Sequence, residues 1–170
     1  MPNWMLMIAL SSLSVTANAA EKTSANAARL EALKKLAGNW VEVGKDGKAA
    51  DNVVSSIRVT SRGSVVQETL FPGSDHEMVT MYYLDGADLV LTHYCALGNQ
   101  PRMRAEPANE TNRLVFKFIG GGNLKSEDEM HMHAATLTLI SDDHFKSEWT
   151  ACKDGKPCHQ ASFDLVRKRN

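Results

Sequence analysis

The chain has 170 residues, with 19 basic and 20 acidic side chains and a net charge of −1. One domain is expected at that length, and 43% hydrophobic residues suffice for a packed core. There is no basic stripe and no charged tail, so nucleic acid is set aside as a partner.

The N-terminal stretch is apolar from Trp4 to about Val15, then turns small and ends in Ala17-Asn18-Ala19. That ending is the A-x-A cleavage pattern of a secretory signal, although no Lys or Arg precedes the apolar core. The run is far short of the roughly 20 residues a spanning helix needs. We therefore expect a signal peptide over 1–19, a periplasmic or secreted mature protein, and no membrane span in it; the alternative is an N-terminal anchor that stays attached. No cysteine stands beside the cleavage point, so no lipid anchor is expected.

A helical segment over 20–37 follows. Ala27, Leu30, Leu33 and Leu36 recur at helical spacing, Ser24 is placed to cap the start, and Gly38 to end it.

From 38 to 170 the chain reads as strands. "NWVEV", "NVVSSIRVTS", "SVVQETLF", "EMVTMYYL", "DLVLTHYC", "RMRAE", "RLVFKFI", "MHMHAATLTLI", "HFKSEWTAC" and "HQASFDLVRK" are short and rich in β-branched or aromatic residues. Turn residues separate them, among them Asp85-Gly86, Gly98-Asn99, Gly120 to Gly122 and Asp154-Gly155. The pattern predicts an all-β fold, an up-and-down antiparallel barrel of about ten strands with one short N-terminal helix. A barrel is preferred to a sandwich because the connections are uniformly short and closure removes exposed edges.

Gly38-Asn39-Trp40, opening the first strand after a short helix, resembles the G-x-W signature of lipocalins and the wider calycin group. The resemblance implies a basic residue on the last strand packed against that Trp at the barrel base. In the terminal "FDLVRKRN" Arg167 is the natural candidate, with Arg169 behind it. A guanidinium over an indole face is favourable in its own right. The stretch "MVTMYYLDGADLVLTHYCALGNQPRM" is similar to exported bacterial lipocalin-like proteins of unassigned activity, which implies a fold and a compartment more than a function. Calycin barrels of the nitrobindin type hold haem through a His near the start of the last strand. His159 occupies a similar place; the alternative is an exposed turn histidine.

Cys152 and Cys158 flank an Asp-Gly turn. A three-residue loop at Asp154-Gly155-Lys156 would set them opposite each other on paired strands, at a spacing that suits a disulfide. Export would let such a bridge persist. Cys95 is then left over, either a buried inert thiol or an exposed reactive one.

Strand side chains alternate between faces. His93 shares a face with Leu89, Leu91 and Cys95, and His131 and His133 share one with Leu137 and Leu139. If the leucines face the interior, all three histidines do. His131 and His133, about 7 Å apart, could chelate one zinc or copper ion with His93 or Cys95 as third ligand. The plain alternative is a set of hydrogen-bonded imidazoles in a partly polar barrel. Tyr94 and Cys95 fall near a strand end. Asn99, Gln100 and Arg102 could form a polar mouth for a carboxylate or carbonyl, or else a capped turn with solvent-facing arginines.

No G-x-S-x-G, P-loop or G-x-G-x-x-G is present, and Gly120 to Asn123 lacks the Lys and helix a phosphate site needs. Glu68, Glu77 and Glu148 could act as acid or base, but nothing pairs them. Ile57, Phe71, Met78, Tyr82, Phe116, Phe118, Trp149 and Phe163 read as core. Binding is therefore expected ahead of catalysis: an exported lipocalin-like barrel holding a small, partly apolar ligand, with no resident cofactor favoured. One rival is a zinc or copper enzyme or carrier on His131, His133 and His93, or a haem barrel on His159. The other is a structural or partner-binding envelope barrel with a filled interior.

Overall fold

Alternating apolar and polar residues after Gly38 set ten strands, each with one face turned inward. The computed structural model describes residues 8–44, 46–108, 110 and 112–169, with side chains from Ala20 onward. The strands are β1 (Gly38–Val43), β2 (Ala49–Thr60), β3 (Val65–Leu70), β4 (Met78–Asp85), β5 (Asp88–Tyr94), β6 (Gln100–Ala105), β7 (Arg113–Gly122), β8 (His131–Ser141), β9 (His144–Lys153) and β10 (Lys156–Arg167). Each pairs antiparallel with its neighbour in sequence, and β1 pairs with β10, so the sheet closes into an up-and-down barrel.

Among the described residues one helix, α1 (Ile8–Lys34), precedes the barrel. The helical segment expected over 20–37 falls largely in the C-terminal part of this longer helix, and Ser24 lies inside it rather than at a cap position. Of the expected signal segment, residues 1–7 and the side chains of 8–19 lie outside the described residues. No helix among the described residues is long and apolar enough to cross a membrane.

Leu30 and Leu33 of α1, and Leu36 just beyond it, are buried in the barrel core. Asn26 and Arg29 are buried with them, which demands polar partners. Asn26 Nδ2 donates to the Ala87 carbonyl at 2.7 Å. Arg29 donates to Asn26 Oδ1 at 3.0 Å and to the Glu106 and Ala108 carbonyls. The helix is thereby fastened to the β4–β5 turn and to the chain after β6.

At the seam, Trp40 is opposite Arg167 in register. The indole is fully buried, donates from Nε1 to the Leu36 carbonyl at 2.8 Å, and meets the Phe145 ring edge-on at 4.7 Å. Arg167 lies over it with Cζ 4.5 Å from the ring centroid. The same guanidinium donates to the Ala37 carbonyl at 2.7 Å, the Lys35 carbonyl at 3.1 Å and Asp143 Oδ1 at 2.6 Å. Gly38 has φ +144°, and a Cβ there would stand 2.5 Å from Arg167 Nη1. Both facts require glycine.

Two expectations fail on local geometry. Gly120 to Gly122 end β7 rather than form a turn. Gly121 is opposite Pro101, where a Cβ would be 2.7 Å from the Gln100 carbonyl oxygen, so glycine permits a close strand approach. The Cys152–Cys158 bridge is also absent: all three cysteines are free thiols. Asp154 and Gly155 have φ of +51° and +68° and form a two-residue loop, the mirror-type turn hairpins favour. Lys153 then pairs with Lys156 and Cys152 with Pro157, and a bulge takes up Cys158. One residue of register separates this from the expected pairing, enough to send a side chain to the other face. Cys158 is exposed and donates to the Ala151 carbonyl at 3.5 Å. Cys152 is buried, and burial, with Cys158 nearby, pushes its thiol pKa up.

Candidate functional site

The core fills the barrel from the α1 end but not throughout. Where β3, β5 and β9 end and β4, β8 and β10 begin, a cavity of about 250 Å³ remains. Its walls are Leu70, Phe71, Met78, His93, Met132, Trp149, His159, Ala161 and Phe163. Pockets for drug-sized molecules run to roughly 300–1,000 Å³, so this space suits something smaller.

Strand alternation brings His93 to the wall. Leu89, Leu91 and His93 are buried along β5, and Tyr94 beyond them is 48% exposed. His93 is opposite Thr80, which is opposite Glu68, so three strands contribute a polar row inside the barrel. His93 is 1% exposed. Its Nδ1 lies 2.9 Å from Thr80 Oγ1, and its ring is 4.9 Å from the Trp149 ring. Its Nε2 is buried with no hydrogen-bond partner. Burial lowers its pKa to about 4, so the imidazole is neutral at pH 7. An unpaired buried polar atom costs about 1–3 kcal/mol, and a polar group on a ligand in the cavity would recover part of that.

Glu68, next along the row, is satisfied. It accepts from Ser55 Oγ and from Tyr82 Oη, each at 2.7 Å. Burial outweighs both bonds and raises its carboxyl pKa. Burial and the Glu68 carboxyl raise the Tyr82 phenol well above its ordinary value. Glu77 and Glu148 are exposed and stand apart from this row.

The other expected residues lie elsewhere. Ala135 and Leu137 face the interior, but the β8–β9 register shifts between Met132 and Ala134. Parity counted from the leucines therefore does not carry through to His131 and His133, and Met132 lines the cavity instead. His131 Nδ1 donates to the Glu129 carbonyl at 2.7 Å, and its Nε2 lies within hydrogen-bond distance of His133 Nδ1, at 3.1 Å. The Phe118 ring covers the pair, 4.2 Å from His131 and 5.4 Å from His133. Burial, then His131, lowers the His133 pKa. The two imidazoles meet each other and not His93. Among the described residues no group of three His, Cys, Asp or Glu is placed to hold a metal ion.

Tyr94, Cys95, Asn99, Gln100 and Arg102 do not line the cavity. Leu91 pairs with Met103 on the inside, so Thr92 and Arg102, one residue along, share the outer face. There Arg102 is bonded to Asp85, which raises its pKa. Asn99 Nδ2 donates to the Met130 carbonyl at 2.9 Å, joining the β5–β6 turn to the segment before β8. Gln100 Nε2 donates to the Gly98 carbonyl at 2.9 Å. The mouth is a stitched turn with an outward arginine.

His159 does reach the cavity, from an exposed position on β10. His93 and His159 thus share one space, but about 250 Å³ is less than a haem macrocycle occupies, so haem does not fit between these side chains as they stand. Sequence reasoning placed Phe71, Met78, Trp149 and Phe163 in the core and did not single out Leu70, Met132 or Ala161. Leu70 and Met132 lie at strand ends, which was the available signal for them; Ala161 lies mid-strand in β10 and carries none.

No protein-family model matches the chain, and no curated protein sequence matches it. The architecture is what stands: a closed, ten-stranded, antiparallel barrel, consistent with a lipocalin-like fold.

Proposed function

We propose that this is an exported, lipocalin-like barrel that holds a small, largely apolar molecule in the cavity beside His93 without transforming it. The observation that carries this is a neutral imidazole, buried with its Nε2 unpaired, among the residues that line a mostly apolar space. Aromatic rings and two thioethers supply an adaptable lining, and the buried His93 imidazole supplies a polar group for orientation. No Ser, Cys or carboxylate lines the cavity beside the histidines, which favours binding over chemistry. The apolar segment ending in Ala17-Asn18-Ala19 supports export.

The rivals have less support. His131 and His133 would give a metal two ligands where three or four are usual. A structural barrel would need its interior filled along its whole length.

Trp149 lines the cavity, so tryptophan emission reports occupancy. Titration with octanol should change the emission saturably, and Ala161→Phe, which fills the space, should abolish the change. Undiminished binding by Ala161→Phe would place the ligand elsewhere and overturn the proposal. A metal retained through purification and lost in His131→Ala, or a Soret band, would favour the rivals.

A further inference from the structure

We infer that the cavity selects uncharged molecules that carry a hydroxyl group and rejects carboxylates. This rests on the reading of the cavity as a binding site and names the chemistry of what enters it.

The lining has no Lys or Arg. The nearest inward polar group is His93, held neutral by its surroundings. The inward group beyond Thr80 is the Glu68 carboxyl, of the same charge sign as an incoming anion when ionised. Arg102, the guanidinium the sequence offered for a carboxylate, is committed to Asp85 on the outer face. His159 sits at the exposed margin. A carboxylate on this wall would lose its water and gain no cation, and protonating His93 to supply one would put a charge where burial opposes it.

The hydrogen bond between His93 and Thr80 sharpens the choice. A threonine hydroxyl can donate to Nδ1 or accept from it, so both imidazole tautomers are open. Nε2 is then a donor in one and an acceptor in the other. A ligand hydroxyl serves either state by rotating its hydrogen, whereas a ketone or ether serves only the donor. The rest of the molecule must be apolar, to lie against Phe71, Met78, Met132 and Phe163.

The test uses the full chain and three probes of equal length: octanol, octanoate and octane, each titrated at neutral pH by tryptophan emission. Octanol should bind at least tenfold more tightly than octanoate, and severalfold more tightly than octane. His93→Phe should lose the octanol advantage, binding octanol no more tightly than octane. In the wild type, the His93 Nε2 nitrogen resonance should move on adding octanol and stay on adding octane. This last measurement needs no variant. Octanoate binding as tightly as octanol, or a stationary Nε2 resonance under saturating octanol, overturns the selectivity while leaving the cavity as a binding site. Failure of all three probes to bind removes the binding site itself, and the selectivity with it.

Discussion

Acidification should draw stability out of the barrel through His93. Its pKa drops from an ordinary 6.5 to about 4 because the ring is buried. The unfolded chain therefore takes up this proton first as the pH falls. Between those two values it binds more protons than the folded chain, and stability declines with falling pH. The contribution is fully present above about pH 6.5 and is lost as the pH approaches about 4. At about 1.4 kcal/mol per pH unit, that interval amounts to about 3 kcal/mol. Other groups overlay it. Asp88 and Asp164, with lowered pKa values, also lose stability in acid, whereas Glu68, with a raised one, gains it. Comparison with His93→Gln isolates the histidine, since glutamine cannot titrate. Urea unfolding of both proteins at pH 7 and pH 4.5 should show the wild type losing about 2 kcal/mol more than the variant, at unchanged m-value. Equal losses would refute the buried, neutral imidazole, and with it the polar atom at the cavity wall.

Four further outcomes follow from the packing. Gly38→Ala should lower stability by about 2 kcal/mol or more in thermal unfolding, since the backbone is left-handed there and the new Cβ meets Arg167. Arg167→Ala should cost about 2 kcal/mol and change the Trp40 emission, because it uncovers the indole and leaves the Lys35 and Ala37 carbonyls without their donor. Tyr82→Phe should cost about 1–3 kcal/mol and raise the Glu68 pKa further, readable as a carboxyl resonance titrating later. A thiol reagent should modify Cys158 well before Cys152 in the native protein and reach three thiols after denaturation; a denatured protein with only one reactive thiol would mean that the bridge exists.

Much of the barrel was legible because each strand carries its own local signature. "DLVLTHYC" became Asp88–Tyr94 and "HFKSEWTAC" became His144–Lys153 almost residue for residue. The seam was legible through Gly38, Trp40 and Arg167, where a glycine, an indole and a guanidinium have few other reasons to coincide. The site was less so. A bulge adds one residue without any side-chain signature, so neither the register shift after Met132 nor the one at Cys158 shows in the sequence. The first leaves Met132, rather than His131 or His133, at the cavity wall, and the second helped part the cysteines. A cavity is a deficit of packing among residues far apart in the chain, and no local pattern marks where the core side chains stop filling the barrel. Ser24 caps nothing because a residue can cap a helix only if those before it are not helical, and here they are.

The octanol complex of the full chain, crystallised and solved, puts the central claim to its most direct test. The alkyl chain should lie among Met78, Met132, Trp149 and Phe163, with the hydroxyl within hydrogen-bond distance of His93 Nε2. Octanol found only on the outer surface, or an interior closed by its own side chains at saturating octanol, would contradict it.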